Sequence, residues 1–252
     1  MAVNVPAVQK PRMLAMSNWD TPQKILVILA HPDDPEFFCG GTLAKWALEG
    51  HEIHYLLLTC GDKGRNQHNM HIPGEELCRI RHVEQHNAAE ALGVKSVKFL
   101  DYEDGTLEPT MELRKSVTRE IRRYAPDVLV TCDPQHLFTT YGLNHPDHRA
   151  AGQVVIDALF PAAGNELFFP ELAVEGFKPH MPRELWASLT GQANTIIDIS
   201  STAEIKIQAL LCHSSQIGDP QAFLERIKKW RDPNSSDKDP IYKEEFRVVK
   251  WQ

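Results

Sequence analysis

The chain has 252 residues, 34 of them acidic and 27 basic, for a formal net charge of −7. That length suits one α/β domain with a large core, and the acidic balance argues against a nucleic-acid-binding stripe. No apolar run approaches the roughly 20 residues needed to span a bilayer, so no membrane partner is expected.

Met1 to Pro22 carries prolines and polar residues without the apolar centre of a signal peptide, and reads as a loose arm ahead of a single domain over Gln23–Gln252. The cysteines, Cys39, Cys60, Cys78, Cys132 and Cys212, are odd in number and form no C-x-x-C pair. They predict reduced thiols and a cytoplasmic location.

In chain order, Lys24–Ala30 is too short and β-branched for a helix and reads as a strand buried on both faces. It runs into Ala30-His31-Pro32-Asp33-Asp34-Pro35-Glu36, which sets a histidine and carboxylates at a strand end, where open α/β sheets place chemistry. Gly41–Glu49 reads as a short helix closed by Gly50, and Glu52–Thr59 as the second strand. The polar stretch Cys60–Gly74, with His68 and His71, should border the pocket. Glu75–Leu92 is a long helix ended by Gly93, and Val97–Leu100 a third strand. Thr110 can cap a helix to Tyr124 that Pro126 stops.

Asp127–Thr131 is another buried strand, followed by Asn144-His145-Pro146-Asp147-His148 and a helical run from Arg149 to Phe160. Prolines break residues 160–183 into loops that should wall a substrate cleft. Glu184–Leu189 and Thr195–Ile199 read as strands, and Ser201-x-x-Glu204 as a capping box opening a helix that ends near His213. Asp219-Pro220 starts a helix to Trp230, and Glu244–Lys250 should add an edge strand. Strands alternating with helices predict right-handed βαβ units. The fold class is therefore α/β, a single domain built on a Rossmann-like, mostly parallel sheet with helices on both faces.

Unpaired carboxylates buried beside a histidine cost several kcal/mol each unless a cation or hydrogen bonds offset them. In a parallel sheet the carboxyl ends of neighbouring strands share one edge, so the two His/Asp clusters can meet. Histidine nitrogen and carboxylate oxygen suit zinc, and a catalytic zinc keeps three protein ligands and a free position for water. His31, Asp34 and His148 are the candidate ligands.

Ala-His-Pro-Asp-Asp-x-Glu at 30–36, Gly40-Gly41-Thr42, and His-Pro-Asp-His at 145–148 resemble the LmbE-like or PIG-L family of zinc-dependent de-N-acetylases. The resemblance runs from Lys24 to Gln216. It takes in Gly50, the Arg81-x-x-Glu84-x-x-x-Ala88-Ala89-x-x-Leu92-Gly93 helix, Asp104-Gly105, and His213-x-Ser215-Gln216. It implies one Zn2+ per chain, or another divalent metal, on His31, Asp34 and His148, with Asp33 as general base. His145 would stabilise the oxyanion as a cation and protonate the departing amine, with Asp147 orienting its ring; Arg81 and His213 would lie at the substrate. Pro35 and the bulky Phe37-Phe38-Cys39 depart from the family pattern and bear on pocket shape.

Zinc lowers the pKa of bound water to about 7, and adjacent carboxylates at a sharp turn can diverge, one to the metal and one to the water. The implied activity is removal of an N-acetyl group from an amino sugar such as N-acetylglucosamine or its conjugate, in a protein that associates into homo-oligomers as relatives often do. Hydrolysis of another small amide, or silent sugar or metal binding on the same fold, are the alternatives. Low basic surface disfavours a lipid-bound substrate. His82 and His86, four apart, share a helix face with Glu84 between them in the chain, but Val83 stands where a zincin needs glutamate. No G-x-G-x-x-G follows the first strand, which excludes a nucleotide-binding dehydrogenase, and the carboxylates are too few for a two-metal phosphoesterase.

Overall fold

The runs Ile25–Leu29 and Val128–Cys132, rich in β-branched and leucine residues, lie side by side at the centre of an eight-stranded sheet. The structure is a computed structural model and describes residues 12–14, 19–65, 68–139 and 142–251. In chain order the elements are β1 (Arg12–Leu14), β2 (Lys24–Leu29), α1 (Asp34–Leu48), β3 (Glu52–Thr59), α2 (Gly74–Leu92), β4 (Ser96–Tyr102) and α3 (Met111–Tyr124). There follow β5 (Val128–Cys132), the small hairpin β6 (Phe138–Thr139) and β7 (Gly142–Leu143), α4 (Pro146–Asp157), α5 (Pro170–Val174), β8 (Glu184–Ser188) and β9 (Thr195–Asp198). The chain closes with α6 (Ala203–Leu211), α7 (Ser214–Ile217), α8 (Pro220–Ile227) and β10 (Lys243–Lys250).

Strand order across the main sheet is β1-β9-β10-β8-β5-β2-β3-β4, and every pairing is parallel except the two made by β10. Alternate residues of β2 face opposite ways, as the pleat requires. Ile25, Val27 and Leu29 pack with Trp46, Tyr55 and Trp186 on one face, and Leu26 and Ile28 with Val117, Ile121 and Val154 on the other. Helices therefore cover both faces. Because β2 and β5 are parallel neighbours, the segments leaving Leu29 and Cys132 emerge on one edge of the sheet.

Several elements differ from the sequence reading. The first helix begins at Asp34, not Gly41: Pro35 falls in its first turn, where the missing N–H costs nothing, and Asp34 and Glu36 face the positive end of the helix dipole. β10 is interior, not an edge, because residues 243–246 pair with β9 and residues 247–250 with β8. Of the arm, residues 12–14 add a parallel edge strand to β9; residues 1–11 and 15–18 lie outside the described residues. Ser201 is not a cap, since a short 3-10 turn over Ser200–Thr202 leads into α6.

Gly41 is required by close packing, for a Cβ there would stand 2.5 Å from Ile199 Cδ1. Glu244 accepts hydrogen bonds from the Gly41 and Thr42 amides (2.9 and 2.8 Å) and from Lys206 Nζ (2.7 Å), locking α1 to β10 and α6. The expectation that all cysteines are reduced is corrected: Cys60, at the end of β3, is joined as a disulfide to Cys78 on α2. Their Cα atoms are 5.1 Å apart, within the range a disulfide bridges. Folding brings together two cysteines whose spacing in the chain carries no pairing signal. No described helix is long and apolar enough to cross a membrane.

Candidate active site

His31 follows β2, and the turn between strand and helix places Asp33 at φ 83°, a left-handed conformation unusual for a residue with a side chain. That turn makes the neighbouring carboxylates diverge. The Asp34 carboxylate accepts from the His31 amide (2.9 Å) and approaches His148 Nε2 (3.0 Å) and His31 Nδ1 (3.5 Å). The Asp33 carboxylate instead meets the Arg81 guanidinium at 3.3 Å. Gln85 holds the turn, accepting from the Asp33 amide and donating to Glu36.

His145, Asp147 and His148 enter from the start of α4, and Pro146 occupies its first turn. His148 Nδ1 bonds the Asn144 side-chain oxygen (2.9 Å), which turns Nε2 toward His31 Nδ1 at 3.3 Å. The opposite nitrogen of His31 lies 3.1 Å from Asp104 and 3.3 Å from Asp147. Ligands about 2.0–2.2 Å from a tetrahedral cation stand about 3.4 Å apart. The separations among His31 Nδ1, His148 Nε2 and the Asp34 carboxylate, 3.0–3.5 Å, fit such an ion. Carboxylates on the far nitrogen of a ligating histidine are the usual second support of a metal site. Two other groupings also converge, His31 with His145 and His148, and His31 with Asp104 and Asp147.

The electrostatics follow from burial and pairing. Burial disfavours the His31 imidazolium, but the Asp34 charge and hydrogen bonds to Asp104, Asp147 and Asp34 outweigh it and raise the pKa well above the usual value. Burial also opposes ionisation of Asp34, yet His148 and His31 hold its carboxyl far below the carboxylate range. Burial pushes Asp33 up, with Arg81 and His213 offsetting part of the rise.

Four expected roles change on the geometry. Asp147 meets His145 through its backbone N–H, which donates to His145 Nδ1 (3.2 Å). Its carboxylate is turned away, accepting from the Gly105 and Leu107 amides and facing His31. Accepting at Nδ1 favours the His145 tautomer with its proton on Nε2, and burial and the charges of His31 and His148 lower its pKa, which disfavours the expected cation. Arg81, 3% exposed, does not stand open to a substrate: it donates to the carbonyls of Pro32 and Gly61 and pairs with Asp33. His213 is wholly buried, with Nε2 3.1 Å from Glu36, so it supports α1 instead of lining the pocket.

Asp104, Asn144 as the support of His148, Gln85 and Glu36 were given no role by the sequence. Asp104-Gly105 stood in the pattern without a role, and nothing in the chain order marks Gln85. His68 and His71 lie in the 60–74 loop, which Gln216 ties down by donating to the Gly64 carbonyl (2.6 Å). Phe38 packs its ring edge against His148, 5.1 Å between centroids, and lines a cleft of about 1040 Å3 with Phe37, Phe138, Leu189 and Trp230.

The GlcNAc-PI de-N-acetylase (PIG-L) family description matches residues 26–159. The chain is 36% identical to a diacetylchitobiose deacetylase of Thermococcus kodakarensis over 77% of this chain and 70% of that one. It is 28% identical to a probable N-acetyl-alpha-D-glucosaminyl L-malate deacetylase 2 of Bacillus cereus, over 90% of this chain and 98% of the other. Among solved structures, the N,N'-diacetylchitobiose deacetylase of Pyrococcus horikoshii superposes with a TM-score of 0.80 at 29% identity, covering 90% of this chain and 84% of that one. The matched segment carries both His/Asp clusters, and the chain belongs to the PIG-L, or LmbE-like, family of deacetylases.

Proposed function

We propose that this chain is a divalent-metal-dependent hydrolase, with zinc the first candidate, that removes an acetyl group from the nitrogen of an amino sugar or its conjugate. The observation that carries the reading is the triangle of His31 Nδ1, His148 Nε2 and the Asp34 carboxylate, with the Asp33 carboxylate beside it and outside it. A cation held there supplies Lewis acidity, polarising a carbonyl and lowering the pKa of water to about 7.

The remaining chemistry belongs to side chains. Arg81 fixes one oxygen of Asp33, leaving the other to take a proton from the attacking water. Water adds to the acetyl carbonyl carbon, the C–N bond breaks, and Asp33 passes the proton to the departing amine, giving acetate and a free amino sugar. His145, neutral and with Nδ1 occupied by the Asp147 amide, offers Nε2–H to the negative oxygen that develops. Neutral histidine donors of this kind serve other enzymes, and one such donor is worth about 3–4 kcal/mol of barrier. Phe38, whose ring packs on His148, also borders a cleft of about 1040 Å3 that the proposed ligands themselves do not line.

The relatives' substrates set the test: N,N'-diacetylchitobiose and the N-acetylglucosaminyl conjugates of malate and inositol, scored by released acetate. At least one should be hydrolysed. Asp33→Asn should keep its metal and lose turnover by roughly 10²–10⁴-fold. No acetate from any of them, or full activity in Asp33→Asn, would overturn the reading.

A further inference from the structure

A second convergence of metal-ligating side chains lies on the α2 side of β3 and β4. Cys78 and His82 are one helical turn apart on α2 and so share a face; Cys60 comes from the end of β3 and Asp101 from β4. One ligand atom from each of the four lies within 4.8 Å of all the others. His82 Nε2 is 3.0 Å from Asp101 Oδ1 and 3.8 Å from Cys78 Sγ.

We propose that, once the Cys60–Cys78 disulfide is reduced, these four residues hold a structural zinc ion through two thiolates, one imidazole and one carboxylate, in a site distinct from the active site. Tetrahedral zinc, with sulfur at about 2.3 Å and nitrogen or oxygen near 2.1 Å, puts sulfur and nitrogen about 3.6 Å apart and nitrogen and oxygen about 3.4 Å apart. The separations found are close to those. A disulfide alone needs neither His82 nor Asp101. Yet β4 carries an irregularity at this point, its register against β3 shifting between Leu57 and Thr59, and Asp101 adopts φ 54° within it. Bulges of this kind re-aim side chains, and this one brings a carboxylate to a histidine that already borders sulfur. The His82 ring is further fixed by stacking on Phe99, 3.8 Å between centroids.

The step balances with a dithiol as reductant. The dithiol gives up two electrons and becomes a cyclic disulfide, the S–S bond opens to two thiols, and both thiol protons are released as the sulfurs bind the cation. Entry is open from the Asp101 side, whose side chain is exposed.

The test uses the full chain, oxidised or reduced with dithiothreitol and freed of reductant, and titrated with cobalt(II) and then zinc. Reduced protein should take up about one more equivalent of metal than oxidised protein and develop a thiolate-to-cobalt charge-transfer band, a signature His31, Asp34 and His148 cannot produce. His31→Ala should keep that band, and Cys78→Ser should lose it. Because Cys78→Ser could impair folding, His82→Asn and Asp101→Asn, on the exposed side, provide the second arm: each should weaken the extra site by about 10-fold or more. A reduced protein with no thiolate band, a disulfide that resists the dithiol, or an unchanged cobalt affinity of that band in both His82→Asn and Asp101→Asn would overturn the proposal.

Discussion

The Asp147 carboxylate stands behind His31, its Oδ2 3.3 Å from Nε2, while the other nitrogen of the same ring faces His148. Asp147 is itself fixed by the Gly105 and Leu107 amides, and Asp104 joins it on the same nitrogen. The ring is thus aimed from behind. Asp104→Asn and Asp147→Asn should each weaken metal binding by about 10–100-fold. Competition against a chromophoric chelator measures this, and unchanged affinity in both variants would contradict the orienting role.

Gly61 sits at φ +68°, and a Cβ there would run into the Arg81 guanidinium. Gly61→Ala therefore combines backbone strain with displacement of the group that holds Asp33. Stability should fall by about 1–3 kcal/mol and turnover should drop without loss of metal. Urea denaturation with metal analysis checks both, and a variant of wild-type turnover would separate Arg81 from the base.

Lys206 and Glu244 form a buried ion pair at 2.7 Å that also receives the Gly41 and Thr42 amides. Removing one partner leaves an uncompensated charge, so Lys206→Met should destabilise by about 3–5 kcal/mol. The denaturation midpoint reads this out; a loss well below about 1 kcal/mol would show the pair adds little.

Glu184 accepts from Trp19 Nε1 (3.0 Å), Trp186 Nε1 (2.9 Å) and Lys250 Nζ (2.8 Å). Burial pushes its pKa up, but Lys250 and the two indoles outweigh burial and hold it below the usual value. A folded pKa below the unfolded one, about 4.3, contributes stability above that pH and loses it as the pH falls through the folded value. Glu184→Gln should cost about 1–3 kcal/mol near neutrality, and the gap to wild type should narrow in acid. A gap that stays constant from about pH 7 to pH 3 would contradict the ionised role.

Much of the site was legible because its residues are bound to the strand ends that carry them. A buried strand followed by His31 and Asp34, and a second followed by His145 and His148, can only meet at one sheet edge once the strands are parallel. The spacing Arg81-x-x-Glu84 is likewise explained by contact: Arg81 reaches Asp33, and Glu84 accepts from the Ser214 and Ser215 hydroxyls and the Ser215 amide. What was not legible depends on side-chain direction. Nothing local turns Asp147 toward His31 instead of His145, since the choice is made by the amides of Gly105 and Leu107 from a distant loop. The interior place of β10 is similar, for its alternating pattern suits an edge or a shared strand, and pairing on both sides is settled only by β8 and β9.

The position of the cation decides between these roles. A crystal of the zinc-loaded protein, measured on both sides of the zinc absorption edge, should place an anomalous peak about 2.0–2.2 Å from His31 Nδ1, His148 Nε2 and an Asp34 oxygen. A peak bound to His145 in place of Asp34, one lying on the Nε2 side of His31 between Asp104 and Asp147, or none at saturating zinc would contradict it.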